Sequence, residues 1–430
     1  MNSLVAVCLV LIGAGWQETT LIPPPFWHDL GYHRASKFYL DMYLGGDFHY
    51  DDPQGIACEK LRVEDDTTTS QDDHILSVFA VNSGTGQILY NTGMRKLSVY
   101  GREGSGDGEF RHPHGVAVNR AGDVYIADTD NGRIVRLLYL KDGLQFVRSS
   151  GGIARPYGVA LDSRGQVYVT DSSASQVLVL DTMGKVVQRW AGMEAPTGIA
   201  VLDAWAARNY GSSDFAVVID RNGTRVNKLS RTGELIASVQ ARDIGLVSAR
   251  FAYCAVDCYG SIYVTDEEND QIHKFDSELH YLVSFGRTGT GDGEFRSPRG
   301  ITIGRQFGQV FVAEAEGGQY LWLGLDAYMI GCFPSVMARD QPGTTIALYS
   351  TEMADLTINI YGRNGKLVRN LFPSESREKP GDVLIVWDGR DDKGVPVPPG
   401  DYQVKASLRP TYGGQRRSLK KELTTTVKRT

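Results

Sequence analysis

Cysteine is scarce in this chain, five residues in 430, and so are proline, 16 residues against 49 glycines, and long apolar runs. So few cysteines cannot form the disulfide framework of a small secreted scaffold, which leaves size and packing to hold the fold. Cys254 and Cys258 are four residues apart. In an extended strand their Cα atoms would stand ~13 Å from each other, beyond disulfide reach, so both are expected as buried thiols. No segment approaches about 18 uninterrupted apolar residues, so no transmembrane anchor is expected. Basic charge is short too. The 45 Lys and Arg face 51 Asp and Glu, a formal net charge of −6, which excludes a nucleic-acid partner that demands a basic footprint. There is no G-x-S-x-G elbow, H-E-x-x-H helix or G-K-[ST] phosphate loop. The Gly-rich stretches that do occur lead into strands, so no helix N-terminus follows to cradle a phosphate.

What the chain has in quantity is glycine and aromatics, 21 Tyr and 15 Phe, a mixture that suits many short strands joined by tight turns. Apolar residues at 42% and charged residues at 22% are ordinary for a globular chain with a sizeable core. The length allows two or three domains at roughly 150 residues each. Residues 4 to 15, LVAVCLVLIGAG, form an apolar run of signal-peptide length, too short to span a bilayer and ending in small residues suited to cleavage. Residues 1–17 are therefore read as an export signal, and the rest as a secreted or cell-surface chain, periplasmic or extracellular.

Aligned on itself, the chain shows a recurring unit: P-x-G-V-A-V, a turn, V-Y-V-A-D, then a tight turn into a third strand. The copies begin PQGIA at Pro53, PHGVAV at Pro113, PYGVAL at Pro156, PTGIAV at Pro196, a degenerate FAYCAV at Phe251 and PRGITI at Pro298. Second strands end at Asn82, Asp128, Asp171, Asp220, Asp266 and Glu314. A ring of acids could be catalytic or bind calcium. Asn82 in the equivalent place instead points to a structural use, because Asp and Asn share the ability to accept main-chain hydrogen bonds in a tight turn. Units one and four carry insertions between first and second strands, EDDTTTSQDD at residues 64–73 and DAWAARNYGSSD at residues 203–214. The first lacks EF-hand spacing and reads as an acidic loop.

Two linkers, GREGSGDGEFRHPHG from Gly101 and GRTGTGDGEFRSPRG from Gly286, are nearly the same sentence. With the P-x-G-V-A-V and V-Y-V-A-D runs they resemble the NHL-repeat family of β-propellers over about residues 53 to 333. The resemblance implies an all-β chain with a six-bladed β-propeller over residues 18–338, since six units stacked around an axis remove long exposed edges. The stretch SKFYLDMYLGG, residues 36 to 46, is expected as a further strand that helps close the ring, although YMIGC at residues 328–332 also offers the last blade an outer strand.

Beyond Pro334 the period stops. Runs such as TTIALYS, LTINIYG, VLIVWDG and YQVKASL, separated by turn-rich stretches, suit a small β-sandwich over residues 339–430. INIYGRNGKLVRNL and WDGRDDKGVPVPPGDYQV are similar to the immunoglobulin-like domain of flagellar hook-capping (FlgD-like) proteins, with Trp387 as the expected core anchor. That resemblance implies a bacterial spacer or attachment module. The basic residues near the C-terminus are read as a solvated strand end.

In an NHL-like unit the x of P-x-G opens the innermost strand and faces the channel mouth. The six positions are Gln54, His114, Tyr157, Thr197, Ala252 and Arg299. Of these Gln54, His114, Tyr157, Thr197 and Arg299 are the candidate ligand-binding residues, a mixed ring with two potential cations suited to an anionic or hydrogen-bonding ligand. Some NHL-like propellers are peptide-amidating lyases with a three-histidine zinc site. Only His114 stands in such a position here, so neither a metal nor another cofactor is expected. The expected function is a secreted binding or scaffold protein whose propeller takes a protein, peptide or glycan and whose sandwich serves as spacer or envelope attachment. No catalytic residue is assigned. The alternative, a channel-mouth lyase or lactonase-like hydrolase, would use His114 as base and Arg299 to hold an anion.

Overall fold

The structure is a computed structural model that describes residues 19–24, 34–45, 48–65, 75–339, 341–372, 376–412 and 419–430. The export segment at residues 1–17 and most of the acidic insertion lie outside the described residues.

Among these residues, each of the six sequence units forms one antiparallel sheet. The third is representative, with strands Pro156–Leu161, Val167–Asp171, Gln176–Leu180 and Val186–Trp190 in simple up-and-down order. The innermost strand of each sheet contacts that of the next, and the last, Pro298–Gly304, contacts the first, Pro53–Glu59, so the ring is closed. Second strands such as Phe215–Asp220 are buried along their whole length. Packing between two neighbouring sheets explains why such strands read as continuous apolar runs rather than alternating ones.

The P-x-G motif has a steric cause. A Cβ at Gly158 would lie 2.4 Å from the Thr197 carbonyl oxygen of the next blade, and one at Gly115 2.5 Å from the Tyr157 carbonyl. The amide of Gly115 donates to that same carbonyl at 2.8 Å. The glycines let successive inner strands approach backbone to backbone at the axis.

The residues that end the second strands are fully buried and serve as turn acceptors. Asp128 accepts from the Arg111 amide at 2.8 Å, Asp171 from Ala154 and Arg155 at 3.0 Å, Glu314 from Arg296 at 2.9 Å and Asn82 from Asp51 at 2.8 Å. Each pins the incoming linker to its blade. His273, on the third strand of the fifth unit, is a partner of one of them, its Nε2 lying 3.1 Å from Asp266.

Ring closure differs from the sequence expectation in two places. Residues Lys37–Leu44 form a helix, capped by the Ser36 hydroxyl, which accepts from the Tyr39 amide. The strands that complete the sixth sheet are Leu21–Ile22 and Arg34–Ser36, both antiparallel to Gly317–Leu323. Alternating exposure of Phe38, Met42 and Tyr43 with a buried Leu40 satisfies a helix packed by one face, and the octapeptide lacks the β-branched residues that would favour a strand. The run around YMIGC, strand Ala327–Phe333, pairs with Thr344–Ser350 and belongs to the C-terminal sandwich rather than to the sixth sheet.

That sandwich sets a three-stranded sheet, Ala327–Phe333, Thr344–Ser350 and Gly381–Trp387, against a second sheet built on Ala354–Gly362, Gly400–Pro410 and Lys421–Arg429. Trp387 is fully buried among Ile346, Leu348, Ile358, Val404 and Leu408, and its indole N–H donates to the Arg390 carbonyl at 2.9 Å. Lys421–Arg429 alternates between exposed and partly buried side chains, as a solvated strand does.

The sandwich is docked on the propeller through buried polar contacts. Lys274 of the fifth sheet pairs with Glu352 at 2.6 Å, both side chains excluded from water, and the Tyr263 hydroxyl donates to the same carboxylate at 3.2 Å. Tyr349 donates to the Leu282 carbonyl at 2.8 Å, and Tyr412 meets Tyr259 edge to face. Among the described residues no helix is long and apolar enough to cross a membrane. Cys58, Cys254, Cys258 and Cys332 are free thiols.

Candidate functional site

The inner strands all start at one end of the axis, and their first residues meet there. Gln54 accepts from the Tyr253 hydroxyl at 3.1 Å and donates to Asp52 at 3.0 Å. Arg299 is bonded to the Asp52 carboxylate and to the Pro53 carbonyl at 2.9 Å, with Glu267 at 3.8 Å. The His114 ring lies 4.2 Å from that of Tyr157, which lies 6.0 Å from Tyr253. The structure therefore brings Gln54, His114, Tyr157 and Arg299 into one cluster. Thr197 is not bonded into it: its carbonyl accepts from Thr170 at 2.6 Å, and its hydroxyl is buried without a partner. Ala252 is buried and offers no polar group.

Electrostatics fixes the protonation states. Burial holds His114 down to about 4, against the pull of the His112 carbonyl and Asp52, so the imidazole is neutral. Its Nδ1 lies 2.8 Å from the His112 carbonyl, which can only accept, so Nδ1 carries the proton and Nε2 is left as an acceptor. Burial raises the Tyr157 hydroxyl to about 12, helped by the Glu267 carboxylate. Burial opposes the charge on Asp52, but hydrogen bonds from Arg299 and Gln54 outweigh it and hold the carboxyl below its ordinary value. Arg299 is thus neutralised where it stands, by an aspartate adjoining the repeat motif.

Three members of this cluster were not singled out in the sequence. Tyr253 is one, and its signal was there: unit five has a tyrosine where the other units have the P-x-G glycine. Asp52 directly precedes Pro53, and Glu267 follows the Asp266 turn. Neither position is marked by the repeat.

Beyond the cluster the axis widens into a cavity of about 1050 Å³, walled by small and apolar residues such as Ala117, Ala160, Ala200 and Ala255. Its closed end rests on Gly55, Gly115, Gly158 and Tyr253, and its open end carries Glu59, Lys60, Asp65, Arg120, Arg208 and Arg305. The volume lies at the upper end of the range for small-ligand sites. The unit-four insertion emerges at this end because it follows the end of an inner strand. On the unit-four insertion, Trp205 is 64% exposed, with the Arg164 guanidinium 3.7 Å over its ring. Asp203 positions that turn by accepting from the Ser163 amide at 2.8 Å and the Trp205 amide at 3.0 Å. Among the described residues no group of three or more His, Cys, Asp or Glu converges as metal ligands.

Comparison with known proteins adds the following. Residues 110–137 and 154–180 match the NHL repeat, and residues 337–410 match the FlgD Ig-like domain. No curated protein matches the chain. Among solved structures it is similar to virginiamycin B lyase from Staphylococcus aureus, at 16% identity and a TM-score of 0.42 over 57% of this chain and 77% of that one. It is also similar to the Xanthomonas campestris gluconolactonase XC5397, at 15% identity and a TM-score of 0.45 over 70% and 97% of the two chains. A third similar structure is PorZ, a surface component of the type-IX secretion system of Porphyromonas gingivalis, at 12% identity and a TM-score of 0.44 over 92% of this chain and 54% of that one. The chain carries NHL repeats in an all-β, propeller-like body and a FlgD Ig-like domain at its C-terminus.

Proposed function

We propose that this chain is a secreted or cell-surface bacterial binding protein whose propeller captures a protein, peptide or glycan at the open end of the axis. The FlgD Ig-like domain, a module associated with the bacterial envelope, supports the location and would act as spacer or attachment unit. The observation that carries the reading is Trp205, a large exposed aromatic on the unit-four insertion, in sequence between Asp203 and Ala206 of the cavity lining. A rigid exposed indole supplies contact area at little entropic cost and stacks equally on a sugar face or a peptide side chain. In this reading Gln54, His114, Tyr157, Thr197 and Arg299 meet only a ligand that reaches the far end, His114 through its Nε2 acceptor. The same neutral imidazole is what favours the second reading, a lyase or lactonase-like hydrolase with His114 as base.

The test is binding of the full chain to panels of envelope glycans and peptides, beside Trp205→Ala and a His114→Ala, Tyr157→Ala, Arg299→Ala triple variant. Affinity lost about tenfold or more in Trp205→Ala alone supports capture at the open end. Loss in the triple variant alone moves the site to the far end. Turnover of a bound compound that stops with His114→Ala supports the enzyme, and binding unchanged in both variants overturns the placement.

A further inference from the structure

The cavity holds one cation whose arrangement differs from the others. Arg305 follows the inner strand of the sixth blade and reaches back across the axis. Its Nε donates to the Val256 carbonyl of the fifth blade at 3.2 Å, and its Nη2 to the Val201 carbonyl of the fourth at 3.0 Å. Two neutral carbonyls thus fix the plane of the guanidinium, and no carboxylate pairs with it among the described residues. Arg299 makes the contrast, because Asp52 neutralises it directly.

The acids around the cavity are already engaged. Asp162 is paired with Arg231 at 2.6 Å, and Asp203 is turned to main-chain and hydroxyl donors of Ser163 and Trp205. Asp65 is shared by Lys60 and Arg120, each at 2.9 Å. Glu59 accepts from the Lys60 amide at 3.0 Å, and burial favours its neutral form. Glu59, Asp203 and Asp257 act on the half-buried Arg305 from beyond ion-pair distance, and orientation by neutral carbonyls leaves its Nη1 edge for an anion from outside.

We propose that the axial cavity is a binding site for a small oxyanion-bearing molecule, carboxylate or phosphate, held by Arg305. The site does not depend on what Trp205 captures at the rim. A guanidinium edge matches two oxygens of either group, and the small side chains of the wall leave room for the body of the ligand.

The experiment is calorimetric titration of the full chain with glucuronate, succinate and inorganic phosphate, with glucose as the neutral control. We compare wild type, Arg305→Gln, Arg305→Lys and Trp205→Ala. The expected result is saturable binding of at least one oxyanion, weakened by added salt, absent for glucose and unchanged in Trp205→Ala. Arg305→Gln should lose about 10- to 100-fold in affinity and Arg305→Lys less, because lysine keeps the charge and loses the fork. Which probe binds separates carboxylate from phosphate. Circular dichroism and a melting curve establish that each variant is folded. If Arg305→Gln does not fold, a loss in Arg305→Lys carries the test. Absence of saturable binding by wild type, or equal affinity in wild type and a folded Arg305→Gln, overturns the proposal and leaves Arg305 as a cap on two strand ends. Loss in Trp205→Ala alone overturns it too and keeps the rim reading.

Discussion

Replacing Lys274 by methionine tests how the two domains are joined. The Nζ lies 2.6 Å from Glu352, and both side chains are inaccessible to water. Methionine keeps most of the aliphatic stem but removes the ammonium, so Glu352 is left buried with only the Tyr263 hydroxyl and the Met353 amide as donors. Breaking a buried pair from one side costs about 3–5 kcal/mol, whereas removing both charges together is close to neutral. The expected loss for Lys274→Met is therefore on the order of 10 °C in melting temperature, with most of it restored in Lys274→Met, Glu352→Gln. Its pH dependence has a definite sign. Burial pushes the Glu352 carboxyl above its ordinary value, and the ammonium that opposes this is gone in the variant. A carboxyl with a raised folded pKa contributes stability that is present below the ordinary carboxyl range and lost as pH rises through the folded value. The deficit of Lys274→Met against wild type should shrink as pH is lowered toward about 4. The assay is thermal and urea unfolding followed by tryptophan fluorescence, since Trp387 reports the sandwich core. A single variant that melts with wild type, or a double variant no better than the single one, would refute the reasoning.

Three further outcomes follow from the geometry. Gly158→Ala should destabilise the propeller by about 2 kcal/mol or more, because its Cβ meets the Thr197 carbonyl at 2.4 Å and neither backbone can yield; urea midpoints measure it. Asp128→Asn should cost about 1–3 kcal/mol, since Asp128 also pairs with Arg133 at 2.7 Å, whereas Asp171 is bonded to main-chain amides and its Asn variant should cost less. His114 should show no protonation between pH 5 and 8 in NMR titration. With its folded value near 4 and the unfolded one near 6.5, its contribution to stability is present above about 6.5 and lost as pH falls toward 4.

The parts of the molecule that the sequence made legible are those that repeat. P-x-G follows from backbone approach at the axis and the terminal Asp, Asn or Glu from the need to bind an incoming linker; five of the six units carry the first and all six the second, and the all-β, propeller-like body could be read from their spacing. Trp387 was legible for a different reason, because an indole inside a small sandwich needs one acceptor and the W-D-G-R turn supplies it through the Arg390 carbonyl. Ring closure was not legible. Leu21–Ile22 and Arg34–Ser36 are too short to show a period, and the partner they need lies about 300 residues away in sequence. The helix at Lys37–Leu44 reads as a strand in the sequence because a short apolar run with two tyrosines carries no decisive periodicity.

The same distinction separates the floor of the cavity from its opening. The floor is assembled from the repeat itself, so the x positions pointed to it, yet the residue that neutralises Arg299 comes from outside the motif and changes what the ring can bind. An arginine whose aspartate lies one residue before Pro53 is a lock between the first and last blades. An arginine whose hydrogen-bond partners among the described residues are carbonyls of two other blades keeps a donor edge. Arg299 and Arg305 lie six residues apart, the first at the x of P-x-G and the second in the turn after the strand, and nothing in the sequence tells which of them meets a carboxylate. Only the closing of the ring, which brings Asp52 to one and Val201 and Val256 to the other, makes the first a structural ion pair and the second a candidate contact for ligand.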